Sequence, residues 1–176
     1  MKRIITVVVF FFSLVSCFGN LDDNDDEVVA DESMLKAGTV APDFVMTTAD
    51  HPDGISLSSF KGRYVVLEFW ASWCPDCRKI TSDVKDLYTT YASDKIAFIG
   101  VSFDTDKNTW QKYVTENGME WTQYSELKAW KETTISKAYN IKWIPTIYIV
   151  DREGKILVGS VSIDKIKAQL AALPKD

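Results

Sequence analysis

Histidine is almost missing from this chain and cysteine is scarce: one His and three Cys among 176 residues. A zinc centre asks for four ligands of that kind. Cys74 and Cys77 form a pair, but Cys17 lies in an N-terminal apolar segment and His51 in a turn cluster, so no metal site is expected. Positive charge is also short, with 20 Lys and Arg against 25 Asp and Glu and a net charge of −5. That balance argues against nucleic acid as a partner and against electrostatic attachment to anionic lipid. The apolar run from Ile4 to Val15 is too short to span a bilayer comfortably and has the length of a signal's hydrophobic region. Internal repeats are absent. A chain of this length predicts one domain, or one domain plus a tail. About two-thirds of its unfolded surface is buried on folding, so neither a metal nor a disulfide is needed to build a core.

What is present begins with a leader. Met1-Lys2-Arg3 is a short basic region, the apolar run follows, and Leu14-Val15-Ser16-Cys17 closes it. Leu-x-x-Cys with a small residue before the Cys resembles the bacterial lipoprotein box, which implies cleavage and a lipid anchor on Cys17. An ordinary cleaved signal with an unrelated cysteine is the alternative. Either version exports the domain to a compartment where disulfides form. Taking Lys2 and Arg3 from the 20 basic residues leaves 18 against 25 acidic ones, or −7. Phe18 to Leu35 then holds Asp22, Asp23, Asp25, Asp26, Glu27, Asp31 and Glu32 with no basic residue. Such a run reads as a self-repelling, extended tether. The expected organisation is a lipoprotein-type signal over 1–17, a tether over 18–36 and one domain over 37–176. The expected location is the bacterial cell envelope, periplasmic, with outer-membrane or surface exposure open.

Within the domain, 43–48 and 55–57 flank the turn cluster Ala49-Asp50-His51-Pro52-Asp53-Gly54, which predicts a hairpin. Tyr64 to Trp70 and Ile96 to Phe103 read as strands buried on both faces. Asp106 is placed to cap a helix carrying Trp110, Tyr113 and Val114 and ending at Gly118. Met119 to Tyr124 reads as a short strand and Thr133 to Tyr139 as a short helix. Thr146 to Val150 and Lys155 to Gly159 read as strands joined by the turn Asp151-Arg152-Glu153-Gly154, and Ser162 as the cap of a last helix. The order predicts an α/β fold: a central mixed sheet with helices on both faces and an N-terminal hairpin extension.

The chain is organised around Glu68-Phe69-Trp70-Ala71-Ser72-Trp73-Cys74-Pro75-Asp76-Cys77. A buried strand leads into a short loop and Cys-x-x-Cys. Val84, Leu87, Tyr88 and Tyr91 then follow at helical spacing. In that context the motif reads as a redox centre. Cys74 falls at the helix N-terminus, where free N–H groups and the dipole favour a thiolate. Pro75 suits the first turn, where its missing donor costs nothing. Cys77, one turn on, is placed to attack a mixed disulfide formed at Cys74. A purely structural disulfide closing so short a loop would contribute little stability.

The segment Glu68 to Cys77 resembles the active site of thioredoxin-like proteins. Tyr139-Asn140-Ile141-Lys142-Trp143-Ile144-Pro145-Thr146 resembles their cis-proline segment. Gly38-Thr39-Val40-Ala41-Pro42-Asp43-Phe44, with Leu57-Ser58-Ser59-Phe60-Lys61-Gly62, points to the TlpA/ResA-like branch of exported, membrane-attached thiol–disulfide oxidoreductases. The resemblance covers about residues 38–172 and implies a thioredoxin fold. It implies Cys74 as attacking thiolate and Cys77 as resolving thiol, with the Cys74–Cys77 disulfide as the redox group and no other cofactor. It implies Glu68 as the buried acid that takes the proton of the resolving cysteine. It also implies a cis bond before Pro145, in a loop that offers backbone groups to an extended substrate. Trp73, Trp143 and Ile144 then flank the substrate groove. Asp76, between the cysteines, disfavours the thiolate by its charge and biases the centre towards a reducing potential. Many proteins of this branch carry an acid three residues after the second Cys. Ile80 stands there in this chain, which throws the proton role onto Glu68.

The function implied is reduction of protein disulfides, with a membrane thiol donor restoring the reduced pair. Cytochrome apoproteins and wrongly paired disulfides are the client classes. Isomerase or oxidase activity stays open at this point, because direction depends on potential and partner. Ala41-Pro42-Asp43-Phe44 also resembles peroxiredoxins, but those carry Thr where Ala71 stands. A binding module without turnover would not need the intact Cys pair.

Overall fold

The computed structural model describes residues 30–48 and 50–174. The signal at 1–17, lipidation at Cys17 and the tether up to residue 29 lie outside the described residues.

A five-stranded sheet forms the centre. β3 (Tyr64–Trp70) pairs in parallel with β4 (Ile96–Ser102), and β4 pairs in parallel with β5 (Thr122–Ser125). On its other edge β3 pairs antiparallel with β6 (Thr146–Val150), which pairs antiparallel with β7 (Ile156–Ser160). The order is β5-β4-β3-β6-β7, so the most apolar strands occupy the middle, as a sheet covered on both faces requires. β5, at the edge, is only half buried. β1 (Val45–Met46) and β2 (Ile55–Ser56) form the separate antiparallel hairpin that the turn cluster predicts.

Alternation along β3 divides the core in two. Phe69 points to one face, where its ring meets Phe103, Tyr139 and Tyr148, with Phe44 before the hairpin against Tyr139. The short helix α3 (Thr134–Ala138) belongs to this face, with Thr133 Oγ1 capping it by accepting from the Ser136 N–H. Trp70, with Glu68 and Val66, points to the other face. There α1 (Pro75–Tyr91) buries Cys77, Thr81, Val84 and Leu87 at helical spacing. α2 (Lys107–Glu116) lies beside it, with the Tyr113 ring 5.5 Å from Trp70 and its hydroxyl 3.0 Å from Thr81 Oγ1. α4 (Ile163–Ala171) buries Ile166 and Leu170. Asp106 caps α2 as expected, accepting from the Thr109 N–H at 2.7 Å. Ser162 occupies the corresponding position at α4 but does not cap it; its N–H donates to Ser160 Oγ at 3.0 Å instead.

The sequence places residues 30–36 in an extended tether, and the structure does not. Ala30 and Met34 are buried, and Asp31 accepts from Ser160 Oγ, the Val161 N–H and Lys165 Nζ. The Leu35 N–H donates to the Tyr148 hydroxyl, and Asn140 Nδ2 donates to the Ser33 carbonyl. Charge alone misjudges this stretch because Asp31 finds donors on the domain, so the packed body reaches back at least to Ala30.

Candidate active site

β3 ends at Trp70, and the chain reverses through Ala71, Ser72 and Trp73 into α1. Cys74 is the N-cap residue of that helix, in extended conformation, and Pro75 opens the first turn. The Cys77 N–H donates to Cys74 Sγ at 3.3 Å, so one of the free donors of the helix terminus is aimed at the sulfur. Cys74 Sγ in turn donates to the Ile144 carbonyl at 3.5 Å. The Ile144–Pro145 peptide is cis, as the resemblance implies, and Pro145 is buried. Both cysteines are free thiols here. Cys74 keeps 5 % exposure between exposed Trp73 and Pro75, whereas Cys77 keeps 1 %.

Glu68 lies in the middle of β3 at 2 % exposure, on the face covered by α1. Burial pushes its carboxyl up to about 8, against an opposing pull from the Trp121 indole. Neither Glu68 Oε2 nor Trp121 Nε1 completes a hydrogen bond, so the indole moderates the carboxyl without pairing with it. Burial also raises the Cys77 thiol, and Cys74 and the Glu68 charge add to that rise. A buried acid and a buried thiol thus face the same compartment, each favouring its protonated form.

Comparisons with known proteins give the family. The family described as Thioredoxin-like matches residues 62–156, more than half of the chain. The chain belongs to the thioredoxin-like family. ResA, a thiol-disulfide oxidoreductase of Bacillus cereus, is 28 % identical over 141 residues, covering 80 % of this chain and 78 % of that relative. ResA of Geobacillus kaustophilus is 24 % identical over 146 residues, 81 % of each. A solved thiol-disulfide oxidoreductase from Bacteroides fragilis superposes with a TM-score of 0.71 at 27 % identity, over 77 % of this chain and 100 % of that one. The thioredoxin domain of a thiol-disulfide oxidoreductase from Bacteroides vulgatus gives 0.67 at 28 %, over 77 % and 99 %. This thioredoxin-like protein is an enzyme of the thiol–disulfide oxidoreductase class, of the ResA/TlpA kind.

In this thioredoxin-like chain the remaining candidates fall at the rim. Trp73 and Trp143 are 55 % and 43 % exposed, next in sequence to the two residues that meet at the Cys74–Ile144 contact. Asp76 is exposed and paired with Lys79 at 2.7 Å, so its charge is partly balanced rather than bare. Cys17 lies outside the described residues.

Asp104, directly after the strand-like run Ile96 to Phe103, is given no role by the sequence. In the structure Asp104 is 2 % exposed, and its carboxylate accepts from the Ser72 N–H at 2.9 Å, Ser72 Oγ at 2.6 Å and Ser102 Oγ at 2.6 Å. It fastens the loop before Cys74 to the end of β4. An acid directly after an apolar strand, with Ser72 and Ser102 available, is a signal, but the meeting of Ser72 and Asp104 across 32 positions is not visible in sequence. Trp121 and Gln123 are missed for the same reason.

Proposed function

We propose that this protein is an exported, membrane-tethered reductase of protein disulfides, with Cys74 as the attacking and Cys77 as the resolving cysteine. The observation that carries the reading is the inequality of the pair. Cys74 caps a helix at the protein's rim, against a backbone carbonyl and between exposed neighbours. Cys77 is sealed in beside an acid that burial keeps protonated to about pH 8.

The chemistry follows in two exchanges. Cys74, as thiolate, attacks one sulfur of a substrate disulfide; that S–S bond breaks, and the other substrate sulfur leaves as a thiolate and is protonated by water. The mixed disulfide holds the substrate in extended form along the Ile144–Pro145 loop, with Trp73 and Trp143 as an apolar collar. In molecules whose Glu68 carboxyl is ionised, a fraction that grows as pH approaches 8, Cys77 then passes its proton to that carboxylate, and its sulfur attacks Cys74 Sγ. The Cys74–Cys77 disulfide forms, and the second substrate thiolate leaves. Two electrons pass to the substrate, and a membrane thiol donor returns them by the same exchanges reversed. The cysteine pair is the whole redox group. Lipidation of Cys17 supplies the anchor, and residues 18–29 the spacer. Apocytochromes awaiting haem and mispaired disulfides are the proposed clients.

Cys77→Ala supplies the test. Without the resolving thiol, the mixed disulfide should accumulate on Cys74 when the protein is offered an oxidised peptide, and Cys74→Ala should trap nothing. A Cys77→Ala protein that forms no adduct contradicts the assignment. Loss of fatty-acid labelling in Cys17→Ala tests the anchor separately.

A further inference from the structure

One row of residues crosses the sheet at Glu68. The register sets Ile147 of β6, Glu68 of β3, Gly100 of β4 and Gln123 of β5 side by side. Neighbours in such a row point to one face. Gly100 therefore leaves the space between Glu68 and Gln123 clear of any side chain of its own. The Gln123 carboxamide fills that space: a Cβ at Gly100 would collide first with Gln123 Oε1 and would come within 2.9 Å of both Cδ and Nε2. Two strand spacings separate the backbones of Glu68 and Gln123 by roughly 10 Å, a gap that Glu and Gln side chains reaching towards each other can close.

Trp70 fixes which way the amide points. An indole only donates, so Gln123 Oε1 faces Trp70 Nε1, at 3.2 Å, and Nε2 is turned away from it. Gln123 Nε2 is buried without an acceptor, and Glu68 Oε2 is buried without a donor. Trp121 Nε1, just before β5, completes no hydrogen bond either, but it already lies close enough to the Glu68 carboxyl to lower its proton affinity. Buried polar atoms are nearly always paired, so an idle donor on Gln123 and an idle acceptor on Glu68, in one row of the sheet, point to a use.

We propose that Gln123 is a positioning residue for the proton transfer at Glu68, holding a donor ready for the carboxylate that Glu68 becomes on ionising. The inference rests on the relay proposed above. A neutral carboxyl accepts weakly and an ionised one strongly. Donation to the ionised form favours it, so Gln123 Nε2, aided by Trp121 Nε1, restrains the proton affinity that burial raises. The titratable groups facing this compartment are Cys77 and Tyr88 from α1 and Tyr113 from α2. Gly100 is the enabling residue, because any larger side chain there would displace the carboxamide.

The test titrates the Glu68 carboxyl in the full-length reduced protein through its infrared C=O band, with Glu68→Gln identifying the band. The rate of Cys77 attack on a trapped mixed disulfide is followed over the same pH range. Gln123→Leu keeps the bulk and removes the donor. It should move the carboxyl midpoint to higher pH by about half a unit, roughly threefold in ionised fraction at neutral pH. Gly100→Ala should move it the same way, and it decides the matter if Gln123→Leu does not fold. A midpoint unmoved by the substitutions overturns the proposal, even where the attack rate follows Glu68. A shifted midpoint that the attack rate ignores supports the Gln123–Glu68 contact while removing the relay reading.

Discussion

Cys74 Sγ lies 3.5 Å from the carbonyl oxygen of Ile144, although 70 positions separate them in the chain. The contact ties the N-terminus of α1 to the loop before β6. It also makes the thiol a donor to a backbone group that a bound extended substrate would share. On the inner side, the same helix turn places Cys77 over Glu68. On the proposed function the outer contact serves the substrate and the inner one the proton.

Glu68→Gln removes the proposed proton acceptor while keeping the shape. In the unaltered protein the rate of Cys77 attack should climb with pH through about 8, as the buried carboxyl ionises. In the variant that limb should vanish, with a loss of about tenfold or more near pH 8, the lower range of general-base contributions. Stopped-flow decay of a fluorescent mixed disulfide reads the rate. An identical profile in both proteins contradicts the relay.

The same carboxyl makes folding stability depend on pH. Folded Glu68 holds its proton to about pH 8, whereas its ordinary value is 4.5. Between those limits the folded state binds one more proton than the unfolded state, so stability falls as pH rises. The contribution is full below pH 4.5 and lost by about pH 8, a total on the order of 5 kcal/mol. Urea unfolding across this window should show the slope. Glu68→Gln should flatten it and be the more stable protein at alkaline pH.

Asp104→Ala should destabilise the protein by about 3 kcal/mol, since the Ser72 N–H and the Ser72 and Ser102 hydroxyls lose their common acceptor inside the core. Denaturant midpoints measure the loss. Hydrogen exchange at the Ser72 amide should accelerate more than exchange in α4, because the loop before Cys74 is what Asp104 holds.

Asp76 and Lys79 carry opposite charges in the first turns of α1, 2.7 Å apart. A negative charge beside the pair opposes its thiolate form and favours the disulfide, which makes the couple more reducing. Asp76→His should therefore raise the midpoint potential. Lys79→Ala, which leaves Asp76 unbalanced, should lower it. Shifts of the same sign, or none in either variant, contradict this electrostatic account.

Much of the fold can be read along the chain because its signals are local. The apolar run of β3, Cys74 and Pro75 at the start of α1, Asp106 before α2 and the turn before β2 each declare themselves within a few residues. Glu68 is legible for the same reason, being one acid in an apolar strand. What escapes depends on distant neighbours. Asp104 is polar punctuation until Ser72 is folded onto it. Gln123 is an ordinary edge-strand residue until the register lays it over Gly100. Asp31 belongs to a charged run until Ser160 and Lys165 surround it. No window of sequence contains those partners, so composition decides these residues and decides Asp31 wrongly.

The measurement that bears most directly on the account is the midpoint potential of the Cys74–Cys77 couple, read by trapping the thiols in graded thiol–disulfide buffers. A reductase supplied by a membrane donor requires a value below about −230 mV, towards the thioredoxin end of the range, and that value is expected here. A value of about −120 to −180 mV, in the range of strong oxidants and isomerases, would contradict it.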